Sequence, residues 1–177
     1  MVAPRDNKQP TVLKWGNAAH MHHTCRRIIS GGQTGADRAA LDFAIEHGYP
    51  HGGWAPRGRE AEDGSIPLQY QLTELTDGGY RQRNKRNVRD SDGTLIVNIG
   101  TLEGGTLATQ VFAQKLKRPY FLAQLDTDTP ESVAPHVVEW LRTHEISILN
   151  VAGPRESKRP GVYKLTRMLL EAIYLDP

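Results

Sequence analysis

The chain has 177 residues, 38% hydrophobic and 24% charged, which suits one compact α/β-sized domain that can bury a core without covalent staples. Lys and Arg total 22 against 20 Asp and Glu, a formal net charge of +2, far from the basic balance of a nucleic-acid binder. A single cysteine, Cys25, excludes a disulfide framework, no apolar run approaches the roughly 20 residues that cross a bilayer, and the polar start lacks the apolar core of a signal peptide. A cytoplasmic protein with neither a membrane nor a nucleic-acid partner is therefore expected. Glycine is the unusual component: there are 17, several of them paired.

Residues 1–24 show no sustained period and read as a peripheral extension, which leaves 25–177 as a single ligand-binding domain. His20, His22, His23 and Cys25 crowd together, but no second ligand group at zinc-like spacing follows, so a solvated arm is preferred to a metal cluster. From Arg26 onward short apolar runs alternate with longer amphipathic ones. A strand over 26–30 precedes a helix over 37–47, and Gly48 stands at the helix stop position. A short strand over 49–53 leads into a long polar loop over 53–70, and ordered loops of that length are often functional. A basic helix over 80–88 follows, then the clearest buried strand, 94–99. The second half continues with a helix over 106–117, a strand over 119–123, a helix over 130–143, a strand over 146–152 and a helix over 162–174. Thr129, Pro130 and Glu131 form a well-made start for the helix over 130–143. Strands alternating with helices, without hairpin signals, predict an α/β fold: a Rossmann-like three-layer sandwich around a mainly parallel sheet of about five strands.

Two strand-to-helix junctions are rich in glycine: Ser30-Gly31-Gly32-Gln33-Thr34-Gly35 and Asn98-Ile99-Gly100-Thr101-Leu102-Glu103-Gly104-Gly105-Thr106. Glycine lets a ligand approach bare backbone, and the following helix presents unpaired N–H groups and a positive dipole end to an anion. Ser30, Thr34 and Thr106 add hydroxyls and Asn98 an amide. Thr34 and Asp37 also have capping-box spacing, so Thr34 has an alternative use as a helix cap. Neither loop is a P-loop or a GxGxxG fingerprint. If their strands are neighbours, both loops fall where open α/β sheets bind ligands.

Other segments complete such a pocket. Trp54, Arg57 and Arg59 combine an aromatic plane with guanidinium groups, a combination suited to a flat heterocycle carrying phosphate. Glu60, Glu62 and Asp63 are expected to pair with Arg57 and Arg59 or to face solvent. Arg81, Arg83, Lys85, Arg86 and Arg89 form a basic face, and Arg81 and Arg83 reach the pocket only by folding back or from a neighbouring subunit. The loop 153–161 carries Arg155, Lys158 and Arg159 at a third strand end and reads as an anion clamp or lid. No nucleophile stands out: Cys25 precedes a strand, no Gly-x-Ser-x-Gly elbow exists, and His47, His51, His136 and His144 have no local triad partner.

Taken together, Ser30-Gly31-Gly32-Gln33-Thr34-Gly35-Ala36-Asp37-Arg38, His51-Gly52-Gly53-Trp54 with Pro56-Arg57-Gly58-Arg59 and Ala61-Glu62-Asp63-Gly64, Asn87-Val88-Arg89-Asp90-Ser91-Asp92-Gly93-Thr94, and Gly104-Gly105-Thr106 resemble the molybdenum carrier family. That family is a circularly permuted YpsA-like branch of the SLOG superfamily, related to the lysine-decarboxylase-like (LOG) proteins. The resemblance implies a Rossmann-like fold, a homo-oligomer (dimer or tetramer), and carriage of molybdenum cofactor (molybdopterin) or molybdate, with molybdoenzymes as recipients. Carried onto this sequence, it implies one ligand loop at Gly31, Gly32, Gln33, Thr34 and Gly35, a second at Gly104, Gly105 and Thr106, and Arg57 and Arg89 as accessory cations; Ser30, Trp54 and Asn98, from the residues themselves, complete the candidate binding set. LOG-type phosphoribohydrolases continue PGGxGTxxE with a catalytic glutamate, whereas here Gly104-Gly105-Thr106 is followed by Leu107-Ala108-Thr109-Gln110. A hydrolase of nucleoside monophosphates, the alternative function, would have to use Glu103 or Glu62. A nucleotide-derivative sensor module is a third reading.

Overall fold

The computed structural model describes residues 25–175, so the expectations for the extension over 1–24, including His20, His22 and His23, lie outside the described residues. β1 (Arg27–Ile29) leads into α1 (Ala36–Glu46), followed by β2 (His51–Gly52), β3 (Trp54–Ala55), β4 (Glu60–Ala61), β5 (Gly64–Ser65) and β6 (Thr73–Glu74). Then come α2 (Tyr80–Arg89), β7 (Gly93–Asn98), α3 (Gly104–Lys115), β8 (Tyr120–Gln124), α4 (Pro130–Thr143), β9 (Ile148–Ala152) and α5 (Val162–Tyr174). The expected loop over 53–70 thus contains the antiparallel ribbon β4–β5 and the first strand of a parallel ribbon, β3–β6, that closes beyond it.

The central sheet has five strands in the order β2-β1-β9-β7-β8, and every pairing is parallel. The expected Rossmann-like sandwich is present, but the two glycine-rich junctions do not follow neighbouring strands. The last strand, β9, is inserted between β1 and β7, so the loop 153–161 lies between the two glycine loops at the carboxyl edge. This order brings the C-terminal cations to the centre of the ligand-binding edge.

Side chains alternate across each strand, and the two faces are unlike. Ile28, Leu95, Val97, Leu149 and Val151 pack with Ala40 and Phe43 of α1, Val137 and Leu141 of α4, and Leu169 and Ile173 of α5 in the main core. Toward α2 and α3 the sheet presents buried Thr94, Asn98 and Asn150, and Asn150 Nδ2 donates to Thr94 Oγ1 at 3.2 Å. The apolar cluster on that side is small: Val88, Phe112 and Ala113. A mixed floor of buried Thr94, Asn98 and Asn150 with Ile96 therefore underlies α2 and α3.

The helix starts separate two kinds of signal. Thr129 caps α4 as the sequence predicts, accepting from the Ser132 N–H at 3.2 Å, with Pro130 in the first turn. Thr34 does not cap α1: the cap position is Gly35, with no side-chain capping bond. The Thr34 hydroxyl donates instead to Glu62. At the amino end of β7, Asp92 Oδ2 accepts from Ser147 N at 3.1 Å and Ile148 N at 2.7 Å, fixing the register of β9 beside it.

Gly153, at the end of β9, shows how tightly the carboxyl edge is packed. A Cβ there would lie 2.5 Å from the Val97 carbonyl oxygen and 2.6 Å from Ala36 Cβ, so backbone would have to move. Gly153→Ala is expected to lower stability by about 1–3 kcal/mol through overpacking, measured by urea denaturation. Wild-type stability would show that β7 and α1 can separate without cost.

Candidate functional site

The site is built around a buried ion pair. Asp37, in the first turn of α1, accepts at Oδ2 from the Gln33 N–H at 3.3 Å and from an Arg83 guanidinium N–H at 2.9 Å. Burial pushes the Asp37 carboxyl up from its ordinary value, against the opposing pull of Arg83 and the Gln33 N–H. Arg83 reaches this position because Gly31 has no side chain: a Cβ there would lie 2.6 Å from Arg83 Cδ and closer still to the guanidinium. Arg83 and Asn87 are four residues apart and share the inner face of α2. Asn87 holds Trp54 by both backbone groups, accepting from its N–H at 2.8 Å and donating to its carbonyl at 3.2 Å. A helix that reads as solvated and basic is thus docked by polar contacts.

Gln33 is fixed with equal definition. Its Oε1 accepts from the Thr34 N–H at 3.0 Å and the Glu62 N–H at 2.9 Å. Its Nε2 and the Nε of Arg83 are buried without a hydrogen-bond partner among the described residues. Such orphan donors are rare in folded interiors.

The rim is cationic. Glu103 occupies the cap position of α3 with no side-chain capping bond, so the first N–H groups of that helix stay available. Glu103 Oε1 lies 3.2 Å from Lys158 Nζ and 2.9 Å from an Arg159 guanidinium nitrogen. Lys158 and then Arg159 hold the Glu103 carboxyl below the usual range. Arg159 also donates to the Ile99 carbonyl at 2.7 Å and the Thr101 carbonyl at 3.2 Å, joining the loop 153–161 to the loop after β7. Asn84 of α2 donates to the Gly105 carbonyl at 3.2 Å.

These groups enclose an open cleft of about 680 Å³, counting the solvent at its mouth, lined by residues of all three strand-end loops and of α2 and α3. Gln33, Asp37, Arg83 and Ala152 form its floor, and Asn98, Gly105, Thr106, Arg155, Lys158 and Arg159 contribute to its walls. Tyr80 supplies its aromatic surface, with the Arg83 and Arg155 guanidinium carbons 5.8 and 5.9 Å from the ring centroid. Among the described residues, no group of three or more His, Cys, Asp or Glu side chains is placed to hold a metal ion. The donor set suits an anion instead.

Residues 28–174 match the circularly permutated YpsA SLOG family. The chain belongs to that family. A crystal structure of a protein named "Putative molybdenum carrier protein" from Syntrophus aciditrophicus SB is 49% identical in sequence. It superposes with a TM-score of 0.84, over 85% of this chain and 96% of that one. No curated protein matches the chain.

In this family member the candidate residues divide by position. Gln33, Asn98, Gly105 and Thr106 line the cleft, Gly31 lines its inner extension, and Glu103 stands at the rim. Ser30 is buried beside them, donating to the Val151 carbonyl at 2.6 Å. Gly104 begins α3, where an added Cβ would be 3.4 Å from Lys158 Nζ. Gly32 packs on Leu72 and Ile66, and Gly35 on the backbone of Pro154 and Glu156. Trp54, Arg57 and Arg89 are not brought to the cleft. The Trp54 indole N–H donates to Asp90 at 2.8 Å and its ring is covered by Arg86, 4.9 Å from the centroid. Arg89 pairs with Asp90 at 2.6 Å, and Arg57 is exposed and not among the residues lining the cleft. Arg59 is committed to the carbonyls of Ile66, Pro67, Tyr70 and Leu72.

The acidic residues Glu60, Glu62 and Asp63 are exposed, one of the two expected outcomes, and the partners of the last two are other than Arg57 and Arg59. Asp63 pairs with Arg38, and Glu62 accepts from the hydroxyls of Thr34 and Ser157, from the Ser157 N–H at 3.2 Å, and faces Arg155 at 3.8 Å. Glu62 therefore joins the loop after β1 to the loop after β9. Arg83 reaches the cleft by the folded-back route, and Tyr80, Asn84 and Thr109 join it without a motif of their own. The available signal was the Arg83/Asn87 and Asn84/Val88 spacing, which places polar side chains on the buried side of α2.

Burial alone would raise the Glu62 carboxyl, but the Ser157 and Thr34 hydroxyls, the Ser157 N–H and Arg155 bring it below the usual range. Its contribution is thus present above the pKa of an unfolded glutamate and is lost as pH falls through the lower folded value. Glu62→Gln is expected to cost about 1 kcal/mol and to speed amide exchange at Glu156 and Ser157 at neutral pH. Exchange rates unchanged from wild type, measured by hydrogen–deuterium exchange, would show that the loop is held without this carboxylate.

Proposed function

We propose that the cleft binds a phosphorylated heterocyclic anion and that the protein carries molybdenum cofactor or molybdate. The observation that carries this reading is the convergence of an α3 N-terminus without a side-chain cap, three cations from one loop, and two buried unpartnered donors on a single cleft. Helix N–H groups and the dipole favour an anion at Gly105 and Thr106. Arg155, Lys158 and Arg159 add charge at the rim, and the guanidinium groups suit phosphate oxygens. Molybdate, also a tetrahedral oxoanion, would use the same donors, whereas a pterin phosphate would also use the Tyr80 ring. The 49%-identical structure named a molybdenum carrier supports the choice of cargo. On this reading the recipients are molybdoenzymes.

The phosphoribohydrolase alternative finds less support. Cleaving a base from ribose calls for a proton donor to the leaving base, and Lys158 and Arg159 hold the Glu103 carboxyl below its usual range, which works against that role. Glu62 joins two loops and is not among the residues lining the cleft.

Native purification followed by mass spectrometry and metal analysis tests the proposal, with co-purified molybdenum and pterin as the expected result. Arg155→Ala with Lys158→Ala is expected to remove the bound material while the protein stays folded, because both side chains are largely exposed. Release of free base from nucleoside monophosphates by the wild-type protein would overturn the carrier reading.

A further inference from the structure

We propose that Gln33 and Arg83 form a neutral specificity seat that recognises the acceptor edge of a fused heterocycle, a ring carbonyl oxygen with the neighbouring ring nitrogen. The inference rests on the reading of the cleft as a site for a phosphorylated ligand and adds which part of that ligand is read, by which atoms.

The Gln33 amide has one possible orientation in use. Two backbone N–H groups, from Thr34 and Glu62, converge on Oε1 at 3.0 and 2.9 Å, so the carbonyl end is committed and the NH2 end is left as the unmet donor. Gln33 is 6% exposed and Arg83 is 7% exposed, and both line the cleft with an unpartnered nitrogen, Nε2 and Nε. They are tied to each other through Asp37 Oδ2, which accepts from the Gln33 N–H and from Arg83. Both free atoms are donors, so the missing partners are acceptors. Leaving them unmet in the buried state costs free energy that a matching ligand recovers.

Charge decides which acceptors. Asp37, 2.9 Å from a terminal nitrogen of Arg83, cancels the guanidinium charge and also accepts from the Gln33 backbone N–H, so it repels a second anion there. The other residues of the inner extension, Asn84, Asn87, Thr109 and Asn150 among them, are uncharged. At the rim Arg155, Lys158 and Arg159 outnumber Glu103, which pairs with two of them, so positive charge is in excess there. A ligand thus places its phosphate at the rim and α3, its ring beside Tyr80, and a neutral acceptor edge at Gln33 and Arg83. Guanine offers such an edge in O6 and N7, whereas adenine replaces the oxygen by an amino donor. The carbonyl and the nearby ring nitrogen of an oxidised pterin present the same pair. The shared chemistry is therefore a fused cyclic amide bearing phosphate.

Calorimetric titration of the full chain with guanosine 5′-monophosphate, adenosine 5′-monophosphate, 6-hydroxymethylpterin phosphate and ribose 5-phosphate tests this. The cyclic-amide phosphates are expected to bind at least about tenfold tighter than ribose 5-phosphate and adenosine 5′-monophosphate, the scale of one well-formed buried polar contact. Tighter binding of the guanine nucleotide assigns a purine, and tighter binding of the pterin phosphate assigns a pterin. Gln33→Met removes the donor, and Gln33→Glu keeps an oxygen for Thr34 and Glu62 while replacing the donor by an acceptor. Both are expected to collapse the ratio of cyclic-amide to ribose 5-phosphate affinity toward unity, with thermal unfolding confirming the fold. Equal binding of all phosphates by the wild type, or an unchanged ratio in both variants, overturns the seat and leaves the anion site standing. Absence of binding by every phosphate overturns the seat together with the anion site.

Discussion

The buried pair between Asp37 and Arg83 is the constraint on which the site depends. It joins the first turn of α1 to the inner face of α2 beneath the loop after β1, and it does so at a position where Gly31 leaves room for a guanidinium. Charges removed from water carry a large desolvation cost, repaid only with close geometry and further hydrogen bonds. Here the Gln33 N–H supplies one of those bonds. Removing one partner would leave the other buried and uncompensated, so the floor of the cleft is an all-or-none arrangement. Its local net charge is near zero, and the positive field of the site is carried by the rim.

Strand order makes that rim. Because β9 lies between β1 and β7, the loop leading to α5 bridges two junctions that are not adjacent. Glu62 binds this loop to Thr34 on one side, and Arg159 binds it to the Ile99 and Thr101 carbonyls on the other. The carboxylates that could be read as acid–base groups serve as counter-ions and loop ties. The same contacts hold Lys158 and Arg159 beside the start of α3, where the helix dipole and the cations act on one volume of space. The site is therefore divided electrostatically, with a cationic mouth over a neutral, amide-rich interior.

Polar docking also explains α2. With Arg83, Asn87 and Val88 as its buried residues, it has almost no apolar stripe, and the small cluster around Val88 and Phe112 adds little area. Asn87 pins Trp54 by its backbone, while Arg86 and Asp90 cover the indole ring and its N–H. Trp54 thus belongs to the support of α2, and the aromatic surface at the cleft is Tyr80.

The alternation of apolar runs, the β-branched stretch of β7 and the capped start of α4 are properties of consecutive residues, and they made the parallel α/β architecture readable along the chain. The same locality made Gln33, Asn98, Gly105 and Thr106 recognisable, since each sits at a strand-to-helix junction where backbone donors must be left free. Other features depend on pairings far apart in sequence. The partner of Thr34 is Glu62 rather than its own helix, the space beside Gly31 is filled by Arg83, and the loop between the two glycine junctions comes from beyond β9. What the sequence by itself determined was the set of elements and the donor-rich character of their junctions, because periodicity and capping act within a few residues. The order of strands, the inward turn of Arg83 and the removal of Trp54, Arg57 and Arg89 from the cleft were decided by tertiary structure. A charged side chain shows its partner only when a buried counter-charge and the space to reach it meet in three dimensions.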